Sequence, residues 1–120
     1  MPRLTLDQAE ALATAVLQRC RTGAANAASV ARALAAAEAD GLKGHGLSRV
    51  PSYAAQAKAG KVDGLAVPTL KRVRTGALAI DAAHGFAYPA LALAVLLCVF
   101  YAAGTILQNR IWRSATDLWT

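Results

Sequence analysis

The chain has 120 residues, with 13 lysines and arginines against 7 aspartates and glutamates, and a formal net charge of +6. This length allows one domain with a hydrophobic core of its own. The basic residues are scattered and aromatic residues make up only 6% of the chain, so it lacks the aligned basic face of nucleic-acid-binding proteins, and we expect no nucleic acid among its partners.

Two helices are predicted in the first third of the chain. Thr5 and Gln8 match the capping-box pattern, in which each side chain bonds a free backbone amide, so a helix should begin there. Apolar residues then recur at helical spacing until Thr22-Gly23 ends the pattern. A second run, Ala24 to Ala39, has apolar residues on one side and polar residues such as Asn26 elsewhere. An antiparallel helical hairpin with closely packed alanines is the simplest arrangement.

A glycine-bounded histidine follows the helical hairpin. Gly44 and Gly46 flank His45 and let the backbone turn sharply. Residues 47–59 are predicted to form a third helix, on which Arg49 and Tyr53, four residues apart, share a face. A guanidinium can fork a carboxylate, an imidazole exchanges protons near neutral pH, and a phenol can orient a carbonyl, so these residues favour a small organic acid as ligand.

Plainer interpretations of the same three residues stay open at this point. His45 can be a turn histidine that caps a helix, and Arg49 can be a solvated helix residue. Tyr53 can be a packing residue whose hydroxyl reaches water. The residue types and their spacing do not decide between these roles and a binding site.

Two short strands are predicted next. Residues 70–73 and 77–81 are apolar-rich, and Thr75-Gly76 between them is a turn signal, which favours a β-hairpin. His84 is expected to have a structural role in the turn that follows. With the helices, this makes the predicted fold mainly α with a small β-hairpin, an α+β fragment.

The last third is predicted to be an apolar helix. No charged residue occurs between Phe86 and Leu107, and about 20 apolar residues suffice to cross a hydrocarbon layer of about 30 Å. Membrane contact through residues 90–107 is therefore an expectation, and a single-pass membrane-associated protein is an alternative hypothesis. We divide the chain into residues 1–95 and a divergent hydrophobic tail, residues 96–120.

The two cysteines indicate a reducing compartment. Cys20 lies in a helical pattern and Cys98 in an apolar run, and neither has metal-ligand spacing, so we expect small buried hydrophobes and no metal site. No secretory signal opens the chain, and a cytoplasmic location is expected.

Several segments together resemble the amino-terminal part of the malate/L-lactate dehydrogenase family, the NAD(P)-dependent 2-hydroxyacid and imino-acid oxidoreductases that are unrelated to the Rossmann-type lactate dehydrogenases. The resemblance extends from Leu4 to Val95. It rests on the order and spacing of residues 36–42, the His45-Gly46 pair, Arg49, residues 51–54, residues 60–62 and residues 81–86.

The resemblance implies roles for the histidine, the arginine and the tyrosine. His45 would be the catalytic histidine, Arg49 would hold the carboxylate of a small 2-hydroxy or 2-keto acid, and Tyr53 would line the same pocket. The cofactor would be NAD or NADP, bound by residues that we expect outside this chain, so we expect the chain to be truncated and inactive alone. Where the family usually has a serine before the histidine, this chain has Gly44.

The resemblance also implies a homo-oligomer, since members of the family look like dimers. A subunit that docks on a full-length dehydrogenase is a further hypothesis.

Overall fold

The computed structural model describes residues 3–75 and 77–117. Four helices and one two-stranded sheet follow one another along the chain. The helices are α1 (Leu6–Arg19), α2 (Ala24–Ala39), α3 (Val50–Lys58) and α4 (Ala87–Asp117), and the strands are β1 (Thr69–Arg74) and β2 (Ala77–Asp81). The prediction of a mainly α fold with a small β-hairpin is confirmed. The chain divides between Ala90 and Leu91 into two compact units.

The helical hairpin forms as predicted. The Thr5 hydroxyl accepts a hydrogen bond from the Gln8 amide at 3.2 Å, and the Gln8 side chain accepts one from the Thr5 amide at 3.0 Å, which completes the capping box. The core of the first unit lies between α1, α2 and α3, where small residues let the helices approach closely. Its members include Leu17, Ala27, Val30, Leu34, Ala54, Ala57 and Phe86.

The predicted third helix is shorter than expected. A 3₁₀ turn, Leu47–Arg49, comes first, and α3 begins at Val50 with Pro51 in its first turn. Proline has no amide hydrogen to donate and is tolerated only at the start of an α-helix, which explains where α3 begins. Arg49 therefore lies on the 3₁₀ turn and Tyr53 on α3.

Asn26 was expected on the polar side of α2, but its side chain is buried. Its amide nitrogen donates to the Gly64 carbonyl at 2.9 Å and to the Ala66 carbonyl at 2.8 Å. Buried polar groups are tolerated when they are hydrogen-bonded in this way. Asn26 thereby ties α2 to the loop that leads into the hairpin.

Strands β1 and β2 pair in antiparallel fashion, with Thr69 opposite Asp81 and Leu70 opposite Ile80. Lys71 Nζ lies 3.4 Å from Asp81 Oδ2 across the pair. The predicted turn residue Gly76 lies outside the described residues.

Helix α4 contains a stretch, Ala87–Ile111, of 25 residues that is long and apolar enough to cross a membrane. No residue in the most apolar part of this stretch is buried. Cys98 on this helix is exposed, and Cys20 is half-buried, so the expectation that both cysteines are buried was wrong. A helix that is apolar on all sides exposes some of its side chains unless other elements cover every side.

Candidate functional site

The loop that carries His45 leaves α2 in a fixed direction. Gly41 has a φ of +79°, which glycine adopts without strain. Its amide donates to the Glu38 carbonyl at 3.0 Å, and the Leu42 amide donates to the Ala37 carbonyl at 2.9 Å. This pair of bonds is a Schellman ending, so the chain turns sharply at a defined point.

Glu38 fixes the other end of the same loop. Its Oε2 accepts a hydrogen bond from the Leu47 amide at 3.0 Å, at the start of the 3₁₀ turn. A Cβ at Gly46 would lie 3.1 Å from the Glu38 Cα, so a residue with a side chain would not fit there without a shift. The His45 amide donates to the Leu42 carbonyl at 2.8 Å. The backbone of His45 is thus held on both sides while its side chain is exposed.

Arg49 is tied to the His45 loop. Its Nε donates to the Gly44 carbonyl at 2.6 Å, and its backbone amide donates to the Gly46 carbonyl at 3.0 Å. The Nε bond leaves the two Nη groups, and each of these groups still has N–H bonds with which to contact an anion. Arg49 therefore presents a positive charge beside the loop, in a direction set by Gly44.

Three aromatic side chains meet beside α3. The Tyr53 ring centroid lies 5.8 Å from that of Phe86 and 6.4 Å from that of Tyr88, both in tilted geometry. The Tyr53 and Tyr88 hydroxyl oxygens are 3.4 Å apart. The hydrogen bond with Tyr53, together with partial burial, raises the pKa of Tyr88 to about 12, while the charge of Arg49 acts in the opposite direction. Tyr53, Phe86 and Tyr88 therefore form one aromatic cluster beside α3.

A strained turn after β2 precedes Phe86 and Tyr88. Ala83 and His84 have φ angles of 50° and 60°, which non-glycine residues rarely adopt. The Asp81 carboxylate accepts a hydrogen bond from the Ala83 amide at 2.9 Å, and the His84 carbonyl accepts one from the Asp63 amide at 3.0 Å. The Ala83 bond, followed by the Lys71 ammonium, lowers the pKa of Asp81. His84 contributes its backbone carbonyl here, and its expected structural role stays a prediction.

The structure joins Tyr53 to Tyr88, a residue that the sequence interpretation missed. The only sequence signal for Tyr88 was its spacing of two from Phe86, in a segment assigned to the apolar helix. The His45 imidazole makes no hydrogen bond or ion pair to any described residue, so its role as the catalytic histidine stays a prediction. Its exposure leaves it accessible to a ligand.

The glycines around His45 do not match a dinucleotide-binding fingerprint. Gly41, Gly44 and Gly46 follow α2 and precede a 3₁₀ turn, whereas the dinucleotide-binding fingerprint requires a strand before the glycines and a helix after them. Among the side chains that the structure describes, in residues 3–75 and 77–111, no three His, Cys, Asp or Glu group together as metal ligands would.

Known proteins are similar to this chain over most of its length. The family model for malate/L-lactate dehydrogenase matches residues 4–105, which continues past Val95. The (2R)-3-sulfolactate dehydrogenase (NADP(+)) of Chromohalobacter salexigens is 45% identical over 92 residues, which are 77% of this chain and 27% of that protein. A Delta(1)-pyrroline-2-carboxylate/Delta(1)-piperideine-2-carboxylate reductase of Pseudomonas putida is 39% identical over 81% of this chain and 28% of its own length.

A solved structure is similar as well. The crystal structure of delta1-piperideine-2-carboxylate reductase from Pseudomonas syringae pvar. tomato aligns with a TM-score of 0.79 and 32% identity, over 88% of this chain and 32% of that chain. The chain thus spans less than a third of the length of these relatives.

Proposed function

The chain belongs to the malate/L-lactate dehydrogenase family, and on that premise we propose that it carries the substrate side of an NAD(P)-dependent oxidoreductase acting on 2-hydroxy, 2-keto or imino acids. The observation that carries the proposal is the hydrogen bond from Arg49 Nε to the Gly44 carbonyl, which holds the guanidinium against the loop that carries the exposed His45. The comparisons favour this function over a membrane protein with a dehydrogenase-like head.

Each of the three predicted residues has a chemical task in this proposal. The Nη groups of Arg49 bind the substrate carboxylate, since a guanidinium can donate two parallel hydrogen bonds. Tyr53 donates its hydroxyl hydrogen to the oxygen or nitrogen at the 2-position. His45 gives the proton that this atom requires when the acid is reduced. These roles are proposals, supported by the exposure of His45 and Arg49 and by the position of Tyr53.

NAD or NADP is the proposed cofactor of the family fold to which this chain contributes. A nicotinamide supplies the hydride in such reactions. The chain spans less than a third of the length of its relatives, so the proposal for this chain is confined to binding, orienting and protonating the acid. Small 2-hydroxy or 2-keto acids are the proposed partners.

Binding of pyruvate, a 2-oxo acid, tests the proposal. Pyruvate should shift the NMR signals of the Arg49 side chain and of Tyr53 in the purified chain. R49Q should weaken binding about tenfold or more, because it removes the charge that binds the carboxylate. R32Q is the matched control, since Arg32 is an exposed arginine that pairs, among the described residues, with Glu10 at 3.7 Å. Equal pyruvate affinity in R49Q and the wild type would contradict the proposal.

A second proposal concerns residues 90–107 of α4. We propose that they contact a membrane, because the Ala87–Ile111 stretch is long and apolar enough to cross one and its most apolar part is not buried. After carbonate washing of membranes from cells that express the chain, it should stay in the pellet. A chain released entirely into the supernatant would refute an integral contact.

Cytoplasmic location and a homo-oligomer complete the proposed description. Cys20 and Cys98 form no disulfide, which supports a reducing compartment. Light scattering on the purified chain would measure its mass in solution, and a monomer at all concentrations would exclude the homo-oligomer.

A further inference from the structure

We propose that Tyr88 is a positioning residue that turns the Tyr53 hydroxyl toward the 2-position of an acid held by Arg49, and so sets the preference for 2-oxo acids over plain carboxylic acids. The inference rests on the proposed function and adds to it a residue that neither the family resemblance nor the sequence pattern assigned. Tyr88 acts on the ligand through Tyr53.

The hydrogen-bonding capacity of the two phenols supports this role. A phenol has one hydrogen to donate, so only one of the two hydroxyls can donate across the 3.4 Å between them. If Tyr88 donates, the Tyr53 oxygen accepts and the Tyr53 hydrogen is free to donate to a ligand. In the proposed arrangement Tyr88 is the donor, which the 3.4 Å separation of the two oxygens allows. Donation to Tyr53 also polarises the Tyr53 hydroxyl and makes it a better donor.

The position of Tyr88 is fixed by the framework before any ligand arrives. Phe86, two residues earlier, is only 7% exposed and packs against the Tyr53 ring. Gly85 precedes it, and a Cβ there would lie 2.9 Å from the Ala66 Cβ and 3.0 Å from the Ala82 carbonyl oxygen. The strained turn thus holds Phe86 and Tyr88 against Tyr53 at the cost of two unusual backbone conformations.

Arg49 and Tyr53 then distinguish two parts of the ligand. Arg49 binds the carboxylate, which pyruvate and propionate both have. Tyr53 donates to the 2-oxygen, which only pyruvate has. Because Tyr88 affects only the Tyr53 donor, loss of the Tyr88 hydroxyl should reduce pyruvate binding and spare propionate binding. The loss of one oriented hydrogen bond corresponds to about a five- to tenfold change in affinity.

The test compares pyruvate and propionate in three proteins by NMR titration. The wild type should prefer pyruvate. Y88F keeps the ring contacts and should bind pyruvate about five- to tenfold more weakly, with propionate affinity unchanged. Y101F is the matched control, because it removes a phenol on α4 that makes a ring contact with Phe100 and no hydroxyl bond to Tyr53. It should behave as the wild type does.

If Tyr88 had only a structural role, Y88F would weaken the binding of pyruvate and of propionate equally. Equal selectivity in Y88F and the wild type would therefore overturn the inference, while the proposed function would stand. A wild type that binds neither acid would overturn the proposed function, and the inference would fall with it. Y53F gives a measurement without ligand: the pKa of Tyr88, followed by absorbance, should fall from about 12 toward its ordinary value of 10.0. An unchanged pKa would also overturn the inference, even if Y88F does not fold.

Discussion

Replacing Asn26 with alanine should destabilise the first unit strongly, although the loss of an asparagine usually has little effect on stability. Asparagine is usually exposed, and sequence reasoning placed Asn26 on the polar side of its helix. The structure instead buries its amide, which donates to two backbone carbonyls in the loop before the hairpin. Both bonds join residues about 40 positions apart, so they hold tertiary structure that no local contact supplies.

The expected loss can be built from the two carbonyls. The Gly64 carbonyl also accepts from the Gly23 amide at 2.9 Å, so it keeps one partner and loses about 1 kcal/mol. The Ala66 carbonyl loses the Asn26 donor inside the protein, which costs about 1–3 kcal/mol. N26A should therefore lower the free energy of unfolding by about 2–4 kcal/mol, a large part of the stability of an ordinary domain.

Urea denaturation followed by circular dichroism measures this change. N109A is the matched control, because Asn109 is exposed on α4 and its loss should change stability by less than about 0.5 kcal/mol. N26D has nearly the same shape but its ionised carboxylate cannot donate, so it should be at least as destabilised as N26A at neutral pH. The reasoning would be refuted if N26A unfolded at the wild-type urea concentration, or if N26D were as stable as the wild type.

Three further predictions concern glycine packing, a buried threonine hydroxyl and the pKa of Tyr88. G85A should lower the free energy of unfolding by about 1–3 kcal/mol, because the added methyl group meets Ala66 and Ala82. G104A, in the middle of α4 where the added methyl group meets nothing, should instead raise helix stability by about 1 kcal/mol. Thermal denaturation measures both changes. T22V should leave stability unchanged or raise it by about 1 kcal/mol in the same assay, since the buried Thr22 hydroxyl has no hydrogen-bond partner among the described residues; a clear loss would show that the hydroxyl is satisfied. The raised pKa of Tyr88 means that its protonated form stabilises the fold, so this contribution is complete below pH 10 and is lost as the pH rises to about 12. Y88F should lack this part of the alkaline decline in the unfolding midpoint.

The local features of the fold could be predicted from the sequence. The capping box at Thr5 and Gln8 involves residues three positions apart, so the pattern contains all the groups that the structure uses. The β-hairpin is equally local, because its strands are separated by a short turn. The start of α3 differed from the prediction of one continuous helix, because Pro51 favours the first turn of an α-helix and so places the start of α3 at Val50.

The contacts that could not be predicted are those between distant residues. Asn26 has an ordinary polar place on a helical wheel, and only the fold shows that the loop containing Gly64 and Ala66 lies against it. Tyr88 was missed for the same reason, since it reaches Tyr53 across 35 positions of sequence. A periodicity argument assigns a residue to a face but does not identify what covers that face.

This difference divides the candidate site into two parts that should respond differently to mutation. Arg49 is held by the carbonyl of Gly44, five residues away, so the position of its guanidinium, where we propose that a carboxylate binds, is set by the local loop and should persist whenever α2 and α3 form. The Tyr53 hydroxyl depends on Tyr88, whose position requires the hairpin and the strained turn at Ala83 and His84. Changes in the hairpin and the turn should therefore reduce discrimination between acids before they reduce affinity for carboxylates, whereas changes in the His45 loop should reduce affinity for both.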